Sequence, residues 1–335
     1  MSAAAAYPVR APNWSIAYQG VNISGEIAPM VRRVAYVDRL SDASGEIEIE
    51  VEDREQRWQG PWYPALGDLM SVMIGYRGEA MLPCGDFELD DLELVGPPDV
   101  FRMRALAAYI TPAMRTANSA GYENQTLLEI AAEIAGKYGL GIVSAPELEG
   151  VAFARVTQDR ETDLAFLKRL ALEHGYDFTV RGGAMVFFAI AALEAAPPAA
   201  TVMRSDTERF DFRNRTRKIY RGAQVAYFDP ATKQLIVAGA APATSAPTGD
   251  TLKIVTRCEN AAQAALKAGA ALHRHNMLFT TASLVLPGAP LLAAGSALLL
   301  SGWGTLDGTY LIEVARHELS RGRGYTTAIE ARRLG

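Results

Sequence analysis

Cysteine is nearly absent: Cys84 and Cys258 are the only two in 335 residues, far apart and in no metal-binding or redox spacing. A disulfide framework is thereby excluded, and the two read as buried or half-buried free thiols in a reducing compartment. No charge of one sign dominates, because 33 Lys and Arg face 38 Asp and Glu for a net charge of −5. That leaves no electrostatic footprint for nucleic acid. No apolar run approaches the ~20 residues of a membrane span. The longest, around Leu284–Leu300, is broken by Pro287, Gly288, Pro290 and Gly295, and reads as two buried strands and a turn. The N-terminus has no basic segment leading into an apolar run, so the chain is expected to be made in the cytoplasm and to stay soluble until assembly.

Catalytic signatures are missing too. No Gly-x-Ser-x-Gly elbow, phosphate-binding loop or His-Glu-x-x-His occurs. The four histidines are His174, His273, His275 and His317. On a continuing helix, His273 and His275 diverge and cannot share an ion; on extended chain they could, but a third ligand is lacking. His174 falls in the last turn of an expected helix, where a cation suits the dipole. His317 lies mid-strand and reads as a structural histidine. No catalytic, cofactor-binding or metal site is assigned.

What is present is duplication. Near the end, Gly295-Ser296, an apolar run, Gly302-Trp303 and Gly308-Thr309-Tyr310 precede two alternating stretches ending in Ala328-Ile329-Glu330. Earlier, Gly67-Asp68, an apolar run, Gly75-Tyr76 and Gly85-Asp86-Phe87 precede two more, ending at Leu106. Upstream stand Val34-Ala35-Tyr36-Val37-Asp38 and Val225-Ala226-Tyr227-Phe228-Asp229, which read as partner strands. Two β-domains on one plan are expected.

After a loose arm over 1–13, strands are expected at Trp14–Ile23 and Val31–Val37, then a turn at Asp42-Ala43-Ser44-Gly45. In Glu46–Glu52, strict alternation puts Ile47, Ile49 and Val51 on one face and four glutamates on a solvated one. Trp58 and Trp62 either seal the end of a barrel or offer a sugar platform. Strands Leu69–Gly75, Phe87–Val95 and Val100–Ala107 complete a small barrel or sandwich. Asp90-Asp91, with Glu88 and Glu93, belongs to an alternating strand without the His or Lys a catalytic pair needs.

The middle differs. Asn124-Gln125-Thr126 opens a helix with Leu127, Ile130, Ala131 and Ile134 inward. A second begins at Thr162 as N-cap, buries Leu164, Leu167, Leu170 and Ala171, and stops at Gly175. A hairpin turns on Gly182-Gly183, and alanine-rich 191–200 serves as linker. Beyond Thr207, Arg209, Arg213, Arg215, Arg217, Lys218 and Arg221 make the one basic stretch, an exposed or intersubunit face or else a phosphate-contacting one, opposite Phe210 and Phe212. A mobile Ala/Pro/Thr/Ser loop is expected over 238–251, then an alanine-rich helix from Asn260 to His273 with Ala264, Ala265, Ala268 and Ala271 on a thin packing side. Strands Leu278–Leu286, Ala297–Ser301, Tyr310–Leu319 and Tyr325–Arg332 close the chain.

The sequence resembles the late control protein D family of contractile-tailed phages, the baseplate hub proteins, whose relatives include the hub portions of type VI secretion spike proteins. The resemblance rests on Leu66-Gly67-Asp68 with Gly75-Tyr76, on Phe87-Glu88-Leu89-Asp90 running to Gly96-Pro97-Pro98, and on Asn124-Gln125-Thr126-Leu127. It also rests on Gly295, Gly302, Asp307-Gly308-x-Tyr310 and His317, and most specifically on Gln158-x-x-Glu161-Thr162-Asp163-x-x-Phe166-Leu167-x-x-Leu170-Ala171 with Gly175. It implies a mainly β chain with an α+β insert: a first β-barrel over 1–110, an α+β domain and linker over 111–205, and a second barrel over 206–335 with a helix insertion near 258–275. It further implies a homotrimeric ring of pseudo-sixfold symmetry in a tail baseplate, between the tail tube above and a trimeric spike below. Other baseplate proteins would adjoin it, and tape-measure protein or DNA would pass the channel unread. Such a particle would assemble in the bacterial host cytoplasm. Since the sequence stops at Gly335, the needle and any wall-degrading activity are expected on separate polypeptides. The rivals are a tail-associated lysin acting through 111–200 and a glycan-binding module using Trp58, Trp62 and Trp303.

Overall fold

A computed structural model describes residues 10–41, 45–110, 112–229, 233–240 and 249–334. The expected turn at Asp42–Gly45 lies largely outside these residues, as do most of the arm over 1–13 and the loop over 238–251.

One 13-stranded sheet runs through both ends of the chain. Its N-terminal half reads, in hydrogen-bonded order, Val31–Arg39, Glu46–Glu52, Val100–Ala107, Leu82–Val95, Leu69–Tyr76 and Pro12–Tyr18. Its C-terminal half repeats that order with Arg209–Asn214, Thr280–Pro287, Gly324–Arg333, Gly308–Ser320, Ala297–Ser301 and Ala200–Met203. In each half we call these the lead, second, return, long, short and flanking strands. The flanking strand is antiparallel in the first copy and parallel in the second.

Equivalence extends to single hydrogen bonds. Gly67 N–H donates to the Leu89 carbonyl at 2.8 Å and Leu89 N–H to the Asp68 carbonyl at 3.0 Å; Gly295 to Ile312 and Ile312 to Ser296 repeat both, at 2.8 and 3.0 Å. Gly67 and Gly295 both take positive φ, +89° and +84°, a conformation that costs a residue with a Cβ. Each long strand also carries one β-bulge against its return strand, at Asp90 and at Glu313. A bulge bends and twists its strand, so its recurrence gives both copies the same curvature.

Alternation builds the cores. Ile47, Ile49 and Val51 in the first copy, and Ala282, Leu284 and Leu286 in the second, point inward from the second strand. The glutamates on the opposite face are half-buried rather than simply solvated: Glu46 meets Arg104 at 2.6 Å, Glu48 meets Arg33 at 2.5 Å and Glu52 meets Arg321 at 3.2 Å.

Three expectations change. Neither half closes on itself as a barrel; the sheet stays open and branches at the long strand of the second copy, which pairs with its own return and short strands and with the lead strand of the first copy. The strand containing Val225–Asp229 is not the counterpart of Val34–Asp38, since alternation of this kind fits any strand with one buried face. It forms the centre of a separate three-stranded sheet with Gln234–Ala240 and Thr251–Val255. Helix Ala261–Asn276 covers that sheet, laying Ala264, Ala268 and Leu272 over Ala223, Val225 and Tyr227 in a core of its own. This whole assembly is inserted between the lead and second strands of the second copy, where the first copy has only a short connection. The linker at 191–200 is also partly ordered, as helix Ile190–Glu194 and the start of the flanking strand.

Between the two copies, helices Leu127–Lys137 and Asp163–Glu173 pack with strands around Leu127, Ile130, Phe166, Leu167 and Phe187. Thr126 and Glu129 form a reciprocal cap at the first helix, and Thr162 caps the second. Gly182 and Gly183 turn the hairpin at φ +58° and +73°. Strand Gly141–Val143 adds to that hairpin in parallel, and Ala117–Thr126 pairs with Ala152–Thr162 in a separate ladder.

Candidate assembly interface

The contact that organises the molecule is the joint between the two copies. The lead strand of the first lies antiparallel to the distal half of the long strand of the second, with Arg39 opposite Val314, Tyr36 opposite His317 and Arg33 opposite Ser320. Its inner face is dry. Tyr36 and His317 stack with ring centres 6.2 Å apart and are 2% and 0% exposed. The Tyr325 hydroxyl lies 2.9 Å from His317 Nδ1, and Nε2 lies 3.1 Å from the Leu292 carbonyl. A carbonyl only accepts, so Nε2 carries the proton and Nδ1 is an acceptor, facing the hydroxyls of Tyr325 and, at 3.2 Å, Thr327. Burial disfavours the imidazolium and pushes the His317 pKa down to about 4. The outer face is held by Arg33, 2.5 Å from Glu48 and 3.0 Å from Glu318.

Two buried charges tie the joint to its surroundings. Asp38, 2% exposed, accepts from Arg181 of the middle hairpin at 2.6 Å and from the Ala294 N–H at 3.0 Å. Arg332, also 2% exposed, reaches the bulge residue Glu313 at 2.5 Å and Glu194 at 2.7 Å. Burial alone would raise the Glu194 pKa, but the His273 hydrogen bond at 2.8 Å and the Arg332 charge hold it below the usual carboxylate value. Arg332 thus links the sheet bulge to Glu194 of the linker helix, and Glu194 in turn holds His273 of the inserted helix.

Each copy has one half of such a joint left over. On the first, among the described residues, the distal long strand Asp91–Val95 bonds only to its return strand, with Leu94 46% and Val95 38% exposed. On the second, again among the described residues, the lead strand Arg209–Asn214 bonds only to its second strand, and Phe210 is 39% exposed. The corresponding residues inside the internal joint, His317 and Val34, are both at 0%.

The residues singled out by sequence divide clearly. Trp58 is buried and stacks on Phe101, with Trp62 edge-on at 5.7 Å, so the pair seals the first core. Trp303 packs on Phe210 and Phe212 in a different core, so the three tryptophans do not make one platform. His273 and His275 are both on the inserted helix and serve separate contacts, the first on Glu194, the second edge-on to Tyr220. His174 ends its helix as the sequence suggests, but burial lowers its pKa, and its Nδ1 lies 2.9 Å from the Leu170 carbonyl. Cys84 and Cys258 are buried free thiols whose pKa burial raises. The motif around Gln158 is a buried lock: Gln158 Nε2 and the Tyr138 hydroxyl donate to the Asp163 carboxylate at 2.8 and 2.7 Å. Desolvation opposes its charge, yet these donors and Asn118 keep the Asp163 pKa low. Among the described residues no group of three or more His, Cys, Asp or Glu could hold a metal ion, and no helix is long and apolar enough to cross a membrane.

The joint and the Asp38 and Arg332 links were missed by the sequence reading. The one available signal was charged residues within otherwise inward-facing patterns.

Comparison with known proteins accords with this architecture. The probable baseplate hub protein of Escherichia phage P2 is 27% identical over 215 residues, covering 63% of this chain and 55% of its own length. That of Escherichia phage 186 is 25% identical over 216 residues with the same coverage, so the chain spans about half the length of these curated relatives. The fold matches a 43 kDa tail protein of prophage MuSo2 from Shewanella oneidensis at TM-score 0.72 and 16% identity, over 96% of this chain and 98% of that one. It matches a tail protein from Neisseria meningitidis MC58 at TM-score 0.73 and 14% identity, over 96% of each chain. A type VI secretion system component of E. coli shares the fold at TM-score 0.57 and 14% identity, over 90% of this chain and 73% of that one. The model of the phage tail baseplate hub (GPD) family matches residues 101–322, and the chain belongs to that family.

Proposed function

We propose that the protein is a structural hub subunit of a contractile-tail baseplate, a homotrimer whose six sheet units form a ring of pseudo-sixfold symmetry. The single observation that carries this is the duplicated unit itself, equal in strand order, bulge position and glycine geometry. Three chains with two equivalent units each present six similar faces to a sixfold tail tube, while the middle and inserted regions repeat only three times and suit a trimeric spike. On this reading the working parts expected at 1–110, 111–205 and 206–335 stand, with the flanking strand Ala200–Met203 moved from the middle part to the last one. Other baseplate proteins contact the periphery, and tape-measure protein or DNA passes the channel without being read. The particle assembles in the bacterial host cytoplasm and the protein resides in its tail baseplate.

The role is non-enzymatic. A cleft of about 560 Å³ beside the second middle helix is lined by Lys168, Arg169, Thr179 and Arg274 among apolar residues. The relatives the chain resembles, probable baseplate hub proteins of phages P2 and 186, support the hub over a lysin. Light scattering of the purified chain tests the assembly: a mass of three times 36.1 kDa is expected, and a dimer, or a single chain at every concentration, contradicts it.

A further inference from the structure

We propose that neighbouring subunits join by repeating the internal joint: the lead strand Arg209–Asn214 of one copy adds, antiparallel, to the distal long strand Asp91–Val95 of the next. This rests on the ring reading and specifies its seam. Three independent features support it.

The first is topological. Inside the chain, the lead strand of copy one covers the distal long strand of copy two. The two edges left over are the lead strand of copy two and the distal long strand of copy one, the same two surfaces with the copies exchanged. Unpaired edges of this kind invite strand addition. A head-to-tail contact built from unlike faces closes into a ring when its rotation permits.

The second is exposure. Every described residue of Arg33–Arg39 and Val314–Ser320 is buried or half-buried in the internal joint. Along Asp90–Val95 only Leu92 is half-buried, and along Arg209–Asn214 only Phe212 is; the others are exposed. Leu94, Val95 and Phe210 are apolar side chains held in water at positions whose counterparts are covered.

The third is charge, and it follows once the register is fixed. Aligning the bulges makes Asp90 equivalent to Glu313, and the lead-strand pairings make Phe212 equivalent to Tyr36. Carrying the internal register across then sets Asp91 opposite Arg215, Glu93 opposite Arg213 and Leu94 opposite Phe212. Two acids meet two arginines on one face, and two apolar side chains meet on the other. Arg213 and Arg215 make no ion pair among the described residues, nor does Asp91, while Glu93 already holds Arg102 at 2.9 Å. A slip of one residue would put every side chain on the wrong face.

The test uses paired cysteines in the full chain, since the native thiols are buried. Glu93→Cys with Arg213→Cys, and Leu94→Cys with Phe212→Cys, are adjacent in register, so one of the two is a non-hydrogen-bonded pair with Cα atoms about 4.5 Å apart, within disulfide reach. Under mild oxidation at least one of the doubles is expected to run as covalent dimers and trimers on a non-reducing gel and to collapse with reductant. The single variants, and the slipped pair Leu94→Cys with Arg213→Cys, are expected to stay uncrosslinked. A second measurement guards against folding damage: Asp91→Arg should weaken association at least about tenfold, and Arg215→Asp added to it should restore association. A three-chain mass with no in-register crosslink and no charge rescue overturns the seam and leaves the ring standing. A chain that remains single at all concentrations overturns both.

Discussion

The two copies of the sheet unit share strand order, bulge and hydrogen bonds but differ in how their matching positions are covered. Copy two has Arg332, His317 and Gly295 where copy one has Leu106, Leu94 and Gly67. In copy two these residues lie under the internal joint, the linker helix and the loop from Leu40; in copy one their counterparts are more open. One backbone plan therefore tolerates polar, buried links where a neighbouring element supplies partners, and apolar or open positions where none does. The difference lies in the surroundings rather than in the unit.

Breaking that comparison most severely requires removing a buried charge. Arg332→Leu gives copy two the residue of copy one but strands Glu313 and Glu194 without their cation. A loss of about 3–5 kcal/mol is expected in denaturant unfolding. A loss under ~1 kcal/mol would mean that the carboxylates do not depend on Arg332.

His317 sharpens it through pH. Its folded pKa of about 4 lies below the unfolded value near 6.5, so the unfolded chain takes up a proton first. Stability from the neutral imidazole is full above about pH 6.5 and falls on acidification towards pH 4, by roughly 3 kcal/mol in all. His317→Leu, the residue of copy one, should flatten this component in unfolding curves taken between those pH values. An unchanged slope would remove His317 from the account.

Glycine gives a smaller contrast. Gly67→Ala and Gly295→Ala both force a Cβ into positive φ, at about 1–2 kcal/mol. An added Cβ at Gly295 would also meet Leu40 at 3.2 Å, whereas none lies within 4 Å at Gly67, so the copy-two variant should unfold at the lower temperature. The least effect belongs to the glutamate face: Glu48→Gln removes a half-exposed pair with Arg33 and should cost under about 1 kcal/mol in the same melts.

Much of this was legible in sequence, for physical reasons. Gly67, Gly85, Gly295 and Gly308 mark positive-φ positions that side chains disfavour, so the repeat left a readable trace. Ile47, Ile49 and Val51 alternate because one face is dry, and Thr126 and Thr162 sit before helices because their hydroxyls cap free N–H groups. The joint was not legible. Strand pairing between Arg33–Arg39 and Val314–Ser320 spans most of the chain, and nothing local in either strand names its partner. Val225–Asp229 was mistaken for the lead strand of copy two because it matches Val34–Asp38 almost residue for residue, whereas Arg209–Asn214 alternates Phe210 and Phe212 with charged residues and shares none of those identities. The insertion was undersized because its helix was visible while, of its strands, Val225–Asp229 was assigned to the sheet unit and Gln234–Ala240 and Thr251–Val255 flank or overlap the low-complexity loop expected over 238–251.

The central claim is six equivalent units in one ring of three chains. Electron microscopy of the purified oligomer, averaged along its axis without imposed symmetry, tests it most directly. The account predicts an inner ring whose density repeats six times within a periphery that repeats three times. An inner ring repeating only three times, or an open filament, would contradict it.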